Sequence, residues 1–443
     1  MLQTIEDRAP AKHRANRYAF VICLGGFLTQ FIVLTCQRLP AVSMESIRET
    51  LGVSYAEVGL ITSFYMIFYA GLSLFWGWLA DRKGARFSLT LACLVASAGT
   101  ILFGLTAHMG LIVAIVTWCV TGFGTAGLLM AVIPKLVARW FAPNKRGFGM
   151  ALIMPGANVA SIILGIVAPI IIAASGWQMG FIYFGIAFLV IAALVFFCVK
   201  DDPASMGLAP YGAPAGTQAA PKPVIQAEKE EEALAKSAKA SGEGALMRVI
   251  KMPLTWRFGI MYIIFQVGYM AATQYYVVSV QSAGFNLAEA SLGLTWAGIC
   301  TIIAEQIFGN LSDRVERKNV IAVAAVLCAL FGFGYFFVLT TSTPSLLVCY
   351  VFVALITACT GIVTVIMTAA GDIYPADIRG TGTGFISTIC IVGRYLGPWV
   401  AGLAVDATMQ AGYAYLIVGV MMLIAGVAAF TLPKMRGTAA SLT

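Results

Sequence analysis

Charged residues are scarce in this chain of 443 residues. They make up 11% of the sequence, whereas a soluble globular protein has about 25%, and 60% of the residues are hydrophobic. Apolar runs of roughly 20 residues, the length that crosses the hydrocarbon core of a bilayer, recur along the whole chain. The lack of charge excludes a soluble globular protein and indicates an all-α integral membrane protein.

Motifs for metal, nucleotide or covalent chemistry are lacking as well. The chain has two histidines, and its ten cysteines lie in apolar segments without a CxxC pair, which argues against a structural zinc or redox site. No Ser/His/Asp or Cys/His constellation and no nucleotide-binding motif is present. We therefore expect no cofactor, no metal and no enzymatic activity.

Twelve segments are predicted to span the membrane. No small-residue cleavage site follows the first of them, so we expect it to remain as a helix. The twelve lie near residues 18–42, 55–79, 87–107, 110–137, 147–173, 177–199, 256–280, 287–310, 319–340, 344–370, 381–404 and 411–432.

The basic residues predict the orientation of these spans, because short loops rich in Lys and Arg stay in the cytoplasm. With both termini in the cytoplasm, the cytoplasmic loops, tails and adjoining span ends contain all 28 Lys and Arg residues except Arg38, Arg48 and Arg394. The net charge of +8 then reflects topology in an inner (plasma) membrane and contact with anionic membrane lipids, and no nucleic-acid partner is needed.

A polar segment divides the chain into two halves. Residues 201–244 are rich in Pro, Gly, Ala and charge, which predicts a cytoplasmic linker. The predicted units are a cytoplasmic tail (1–17), a first six-helix bundle (18–199), the linker (200–250), a second six-helix bundle (251–433) and a cytoplasmic tail (434–443).

Two loop motifs recur in both halves. GWLADRKGAR after span two has its copy, GNLSDRVERK, after span eight, with Asp81 and Asp313 232 residues apart. ARWFAPNKRGFG after span four has its counterpart, GDIYPADIRGTG, after span ten, with Arg146 and Arg379 233 residues apart. Two motifs at nearly the same offset indicate an internal duplication.

This motif set resembles that of the major facilitator superfamily, over the whole chain except the linker and the tails. The resemblance implies two six-helix bundles related by a pseudo-two-fold axis along the membrane normal, one central site, alternating access by rocking, and a monomer. A gating role is expected for the loop residues, because a carboxylate there can pair with a basic side chain or cap a helix. The alternative, that the loop charges only set topology, leaves the two aspartates unexplained. The expected gating residues are Gly77, Asp81, Arg82, Arg86, Arg146, Gly309, Asp313, Arg314 and Arg379.

Arg394, in IVGRYLGPWV, lies deep in the eleventh span. A charge at bilayer depth costs roughly 2.5–3.5 kcal/mol on insertion scales, and a guanidinium does not lose its proton. It therefore needs a carboxylate partner or an anion that comes and goes. Gly393 and Gly397 would let a neighbouring backbone approach, and Pro398 would allow a bend.

Arg38 is the second arginine at membrane depth. Either it faces a cavity, or the helix ends early before Pro40 and Arg38 reaches the outer interface. A cavity is favoured because the sequence continues largely apolar to Met44. In addition, the 43-residue spacing from Arg38 to Asp81 resembles that of the substrate-contacting arginine in the organophosphate:phosphate antiporter branch.

Glu305 is the only acidic side chain deep enough to pair with these arginines. Three alternatives are open: a proton-coupling group, a structural partner of an arginine, or a residue at the inner mouth of the cavity. Monocarboxylate and oxalate transporters of the superfamily carry an arginine four residues before the span-eight glycine, here Gly309. This chain has Glu305 instead, so their substrate site does not transfer directly.

Polar and aromatic residues complete the expected cavity. One face of span seven carries Tyr262, Gln266, Tyr269, Thr273 and Tyr276. A stripe of tyrosines on one helix face can also be explained by packing between helices, without any contact to a substrate. Buried amides nearby favour a site, since they need partners. The expected substrate-binding residues are Arg38, Arg394, Tyr65, Tyr69, Asn158, Gln266, Tyr269 and Tyr276.

Two arginines against one carboxylate leave excess positive charge, which an anionic substrate would balance. The sequence predicts a secondary active transporter of a small organic anion, a mono- or dicarboxylate, with protons or a counter-anion as the coupled ion. One alternative is drug efflux, which would favour an acidic cavity. The other is a non-transporting membrane sensor or assembly protein.

Overall fold

The computed structural model describes residues 8–129, 132–142, 145–213, 244–341, 344–375 and 378–434. Most of the predicted linker (214–243) and the ends of both predicted tails (1–7 and 435–443) lie outside these ranges. Within them the chain forms the following long helices. They are α1 (Arg8–Val42), α2 (Tyr55–Gly71 and Ser73–Lys83), α3 (Ala85–Thr106), α4 (Leu111–Leu129 and Val132–Trp140), α5 with α6 (Arg146–Ile153 and Gly156–Cys198), α7 (Pro253–Ser282), α8 (Leu287–Arg314), α9 (Arg317–Thr341), α10 (Leu346–Thr360 and Val363–Asp372), α11 (Arg379–Ile389 and Ile391–Thr408) and α12 (Tyr413–Phe430).

The predicted number of membrane spans agrees with these helices. In the described ranges, ten helical stretches are long and apolar enough to cross a membrane. One of them, Arg146–Cys198, contains two spans, because its backbone turns at Gly176 (φ 83°, ψ 162°), where α5 ends and α6 begins. The more polar α7 is not among the ten and completes the twelve.

Local sequence signals account for where two of the helices begin. Ser54 precedes α2, and its side chain accepts a hydrogen bond from the Glu57 amide (3.3 Å) while the Glu57 carboxylate accepts one from the Ser54 amide (2.8 Å). Asn286 and Glu289 make the same reciprocal pair at the start of α8. Each pair satisfies amide groups that the first helical turn leaves without partners.

The helices pack mainly within their own half of the chain. In the first half α3 packs on α4 and α6, and in the second half α9 packs on α12 and α7 on α11 and α12. The two halves meet through α2 with α11, α5 with α8, and α1 with α7. The internal repeat relates α2 to α8 and α5 to α11, each pair six helices apart, so the α2–α11 contact corresponds to the α8–α5 contact.

The two ends of the bundle differ. The basic face, which carries the loops with Asp81, Arg146, Asp313 and Arg379, corresponds to the predicted cytoplasmic side. Between α5, α8 and α10 a cavity of about 380 Å³ reaches this face. The opposite face, where α1 and α11 end and α2 and α8 begin, brings the two halves into direct contact.

Candidate functional site

Arg394 lies one turn after a break in α11. The helix is interrupted at Cys390, and Pro398, which has no N–H, leaves the carbonyl oxygen of Arg394 without its usual helical hydrogen bond. The Nε atom of Arg394 is buried and has no hydrogen-bond partner among the residues that the structure describes. Burying a charged donor without a partner is costly, so this position suits a ligand that brings negative charge.

Tyrosines surround Arg394. Tyr69 on α2 and both Tyr262 and Tyr269 on α7 lie within electrostatic reach of its guanidinium, and their neutral hydroxyls do not balance its charge. The hydroxyl of Tyr69 lies close to Gln37 of α1 but makes no hydrogen bond of acceptable geometry within the described ranges. Helices α1, α2, α7 and α11 from both halves therefore contribute to one polar group.

Gln266 adds a hydrogen-bond acceptor to this group. Its Nε2 donates to Tyr262 Oη (3.0 Å), and Oε1 is buried without a partner in the described part of the chain. Arg394 Nε and the Tyr69 hydroxyl supply free donors, and Gln266 Oε1 supplies a free acceptor. The three atoms together can hold a group that carries a negative charge beside a hydroxyl.

Two glycines bring α11 onto α7. Gly393 packs against the main chain of α7, and a Cβ at Gly397 would lie 2.7 Å from the carbonyl oxygen of Val267. The close approach expected from the Gly-x-x-x-Gly spacing is confirmed, and it sets Arg394 against the tyrosines of α7.

Replacement of Gly397 by alanine is expected to destabilise the protein by about 1–3 kcal/mol, because the added methyl group must push α7 and α11 apart. Gly384, also on α11, has open space around its Cα and provides the matched control. Gly384→Ala should leave stability unchanged or raise it slightly. Thermal unfolding of the detergent-solubilised variants measures both; equal effects would disprove the packing role of Gly397.

Asn158 of α5 and Glu305 of α8 form a second polar cluster, and Arg38 of α1 lies within electrostatic reach of it. Asn158 Nδ2 donates to Glu305 Oε2 (3.4 Å), and Glu305 and Arg38 attract each other electrostatically. Because α1 continues to Val42, Arg38 lies within the helix, and the alternative in which the helix ends early is wrong. Asn158 and Glu305 also line the cavity that reaches the basic face.

The expected gating residues of the first half make local contacts at the basic face. Lys135 Nζ donates to Asp81 Oδ1 (2.6 Å) and to the carbonyl oxygen of Gly77 (3.1 Å). Arg82 lies over the Trp78 ring. Arg86 donates through Nε to a carbonyl oxygen of α6 (2.6 Å). The carboxylate of Asp81 thus has a basic partner, one of the two roles expected for it.

The second half and the two RG loops show related contacts. Asp313 lies 4.0 Å from Arg317, which also pairs with Asp372, while Arg314 and Arg379 are exposed. Gly309 lines the cavity, and Arg146 Nη2 donates to the carbonyl oxygen of Ala138 (3.2 Å).

Tyr374 of the Tyr-Pro motif is held in place at the basic face. Tyr374 is buried and donates to Thr255 of α7 (3.1 Å). Burial raises the pKa of Tyr374 above its ordinary value, so the hydroxyl stays protonated and keeps this bond.

Two expected site residues lie apart from these clusters. Tyr65 is buried inside the first half and hydrogen-bonds Thr125 (2.8 Å), although it remains within electrostatic reach of Arg394. Tyr276 packs inside the second half against Gly293 of α8. Conversely, Gln37 joins the Arg394 group without having been expected; its position beside Arg38 in an apolar span is the signal that could have indicated it.

Comparisons with known proteins agree with the fold. A family model described as Major Facilitator Superfamily matches residues 26–358 and, in a second match, residues 278–441. A hexuronate transporter of Bacillus subtilis is 25% identical over 91% of this chain and 92% of its own length. A probable sulfoacetate transporter, SauU, of Cupriavidus necator is 27% identical over 41% of each chain. The membrane sensor protein UhpC of Escherichia coli is 22% identical over 82% of this chain and 80% of its own.

A solved structure has the same architecture. The crystal structure of a D-xylose-proton symporter superposes with a TM-score of 0.75, at 17% identity, over 95% of this chain and 99% of the other. At this identity the likeness concerns the fold alone, and it confirms the expected arrangement of twelve helices.

Proposed function

The chain belongs to the major facilitator superfamily, whose members are transporters and not enzymes, and from this premise we propose that it is a secondary active transporter of a small organic anion. The observation that carries the proposal is Arg394, whose buried Nε has no hydrogen-bond partner among the tyrosines around it. A mono- or dicarboxylate would supply the missing charge and accept a forked, charge-assisted hydrogen bond.

The proposed binding site uses both halves of the chain. Arg394 and Gln266 from the second half and Tyr69 from the first would hold the anionic group, and Arg38 with Asn158 would contact the remainder of the substrate. Relatives whose names specify a hexuronate and sulfoacetate support an anionic substrate. Both of these substrates carry an acidic group on a small polar skeleton.

The proposed cycle is alternating access with protons or a counter-anion as the coupled ion. Glu305 has the position for proton coupling, because it lies in the cavity and attracts Arg38. When Glu305 is ionised, its carboxylate competes with the substrate for Arg38. When Glu305 is protonated, Arg38 becomes available to the substrate. We propose further that the protein lies in the inner membrane as a monomer with both termini in the cytoplasm.

Uptake into proteoliposomes tests the substrate class. The panel contains a labelled hexuronate, a dicarboxylate, sulfoacetate, a hexose phosphate, a neutral hexose and a cationic dye, each with and without a pH gradient. We expect uptake of at least one carboxylate or sulfonate and none of the hexose or the dye. Uptake of the neutral hexose alone would contradict the anion proposal, and uptake of the dye alone would favour drug efflux.

A membrane sensor is the second candidate function, and the similarity to UhpC favours it. A sensor of this fold would bind the anion without carrying it across the membrane. Binding to the solubilised protein combined with no flux in proteoliposomes would establish this alternative in place of transport.

The loop aspartate provides a test of gating. Asp81→Asn is expected to slow transport several-fold while changing the free energy of unfolding by less than about 1 kcal/mol, because its partner Lys135 is solvent-exposed and such pairs contribute little stability. Uptake rates and thermal unfolding of the same preparation measure the two effects. An unchanged rate would exclude a gating role for Asp81.

A further inference from the structure

A carboxylate from the second half caps a helix of the first half at the opposite face. Asp406, near the end of α11, accepts hydrogen bonds from the amides of Tyr55 (Oδ1, 2.8 Å) and Ala56 (Oδ2, 2.8 Å), which begin α2. Amides of the first helical turn lack intrahelical partners and carry the positive end of the helix dipole. Asp406 therefore makes two charge-assisted bonds between parts of the chain that lie about 350 residues apart.

A tyrosine hydroxyl bridges the same two helices. Tyr275 of α7 is fully buried, and its Oη lies 3.1 Å from the carbonyl oxygen of Tyr55 and 3.0 Å from that of Pro398. The single proton of the hydroxyl is thus shared between an acceptor on α2 and one on α11.

Glycines allow α2 and α11 to touch beside these bonds. A Cβ at Gly59 would lie 2.7 Å from the carbonyl oxygen of Pro398, and one at Gly402 would lie 2.5 Å from the Cα atom of Ala56. One turn below Gly59, the fully buried Ser63 donates to the carbonyl oxygen of Tyr395 (2.6 Å). The contact between α2 and α11 therefore remains close-packed over the first two turns of α2.

The loop before α2 is held in place by its own ion pair. Tyr55 Oη donates to Glu45 (2.6 Å), whose carboxylate also pairs with Arg48 (2.6 Å). The hydrogen bond that Arg48 donates to Glu45 raises the pKa of Arg48, so the guanidinium of this pair stays charged over the physiological pH range. It fixes the start of α2 under Asp406.

We propose that Asp406 and Tyr275 are the gating residues that keep the opposite face closed while the cavity reaches the basic face. The inference rests on alternating access, the proposed mode of transport. For the opposite face to open, α2 and α11 must part, and the two bonds of Asp406 must break. Contacts that exist in one state and are lost in the other set the balance between the two states.

Labelling of a cysteine at position 63 tests the gate. The Ser63→Cys protein is placed in vesicles with the outer face exposed and treated with a membrane-impermeant maleimide. Mass spectrometry follows the modification of residue 63 itself, so the native cysteines do not interfere. Asp406→Asn should raise the rate on the order of tenfold, the effect of losing one charged hydrogen bond, and Tyr275→Phe should raise it less.

Two controls make the result specific. Glu289→Gln removes another carboxylate that accepts an amide hydrogen bond at the same face, but within one half, and should leave the rate unchanged. Ser97→Cys places the reporter inside the first half, where Ser97 is fully buried against α6, and should stay unlabelled. Unchanged labelling at residue 63 in both gate variants, or an equal rise at residue 97, would overturn the proposal. The assay needs no substrate, so a wrong substrate class leaves it intact.

Discussion

Arg394→Gln is expected to abolish anion uptake and, at the same time, to stabilise the substrate-free protein. Removing one partner of a buried, hydrogen-bonded charge pair costs about 2–5 kcal/mol of binding free energy, which is roughly 30-fold or more in affinity. In the substrate-free protein the same guanidinium has a buried Nε without a partner among the described residues, so replacement by glutamine removes a desolvation cost there. Uptake in proteoliposomes and thermal unfolding without substrate measure the two effects.

The opposite signs of these effects separate a binding charge from a structural one. A structural arginine would lose stability on replacement, whereas a binding arginine gains it and loses function. Arg394→Lys keeps the charge without the planar fork and should retain only part of the affinity. Arg257→Gln removes an exposed arginine at the start of α7 and should change neither property. Loss of stability in Arg394→Gln, with uptake retained, would exclude Arg394 as the binding charge.

Glu305→Gln is expected to abolish the dependence of uptake on a pH gradient while exchange of internal for external anion continues. A gradient of about one pH unit supplies about 1.4 kcal/mol per proton, enough for roughly tenfold accumulation. Glutamine cannot take up or release a proton near Arg38, so the accumulation driven by the pH gradient should disappear in Glu305→Gln. The exchange reaction needs no net proton movement, so it should remain within about threefold of the original rate.

The control for Glu305 lies on the same helix. Glu289→Gln, at the other end of α8, removes a carboxylate that accepts a hydrogen bond from the Asn286 amide at the start of its own helix and should leave the accumulation ratio intact. If Glu305→Gln accumulates substrate with the original dependence on the gradient, Glu305 is not the proton-coupling group, and another residue couples transport to protons.

Hydropathy and loop motifs were sufficient to predict the fold. A span must be long enough to cross the bilayer, and this requirement is local, so the twelve segments and the gap at Gly176 could be located from sequence. The breaks inside the helices, at Leu72 and Cys390, were not evident. These breaks depend on neighbouring helices that provide hydrogen-bond partners for the backbone or push it aside, and the amino-acid composition of a segment does not reveal its neighbours.

The site was only partly predictable, for a related reason. Depth along a helix follows from residue number, which identified Arg38, Glu305 and Arg394. The direction in which a side chain points depends on which neighbour has a small residue opposite it. Tyr269 and Tyr276 are two turns apart on the same stripe of α7, yet Gly293 opens a space that takes Tyr276 into the second half.

Contacts between the halves were the least accessible to sequence. Asp406 is one of few acidic residues close to the end of a span, but its role depends on α2 beginning beside it, and nothing local to either segment reveals that contact. The internal repeat predicts which helices correspond, whereas the register at which α2 and α11 meet follows from Gly59 and Gly402 in the packed structure.

The most direct measurement is equilibrium binding of a carboxylate and its amide to the solubilised protein. The two compounds have nearly the same size and shape and differ in charge at the group that would meet Arg394. Using the carboxylate that the uptake panel identifies, we expect it to bind to the original protein while its amide does not, and we expect neither to bind to Arg394→Gln. Equal affinity for the acid and the amide would contradict an anion-binding site at Arg394.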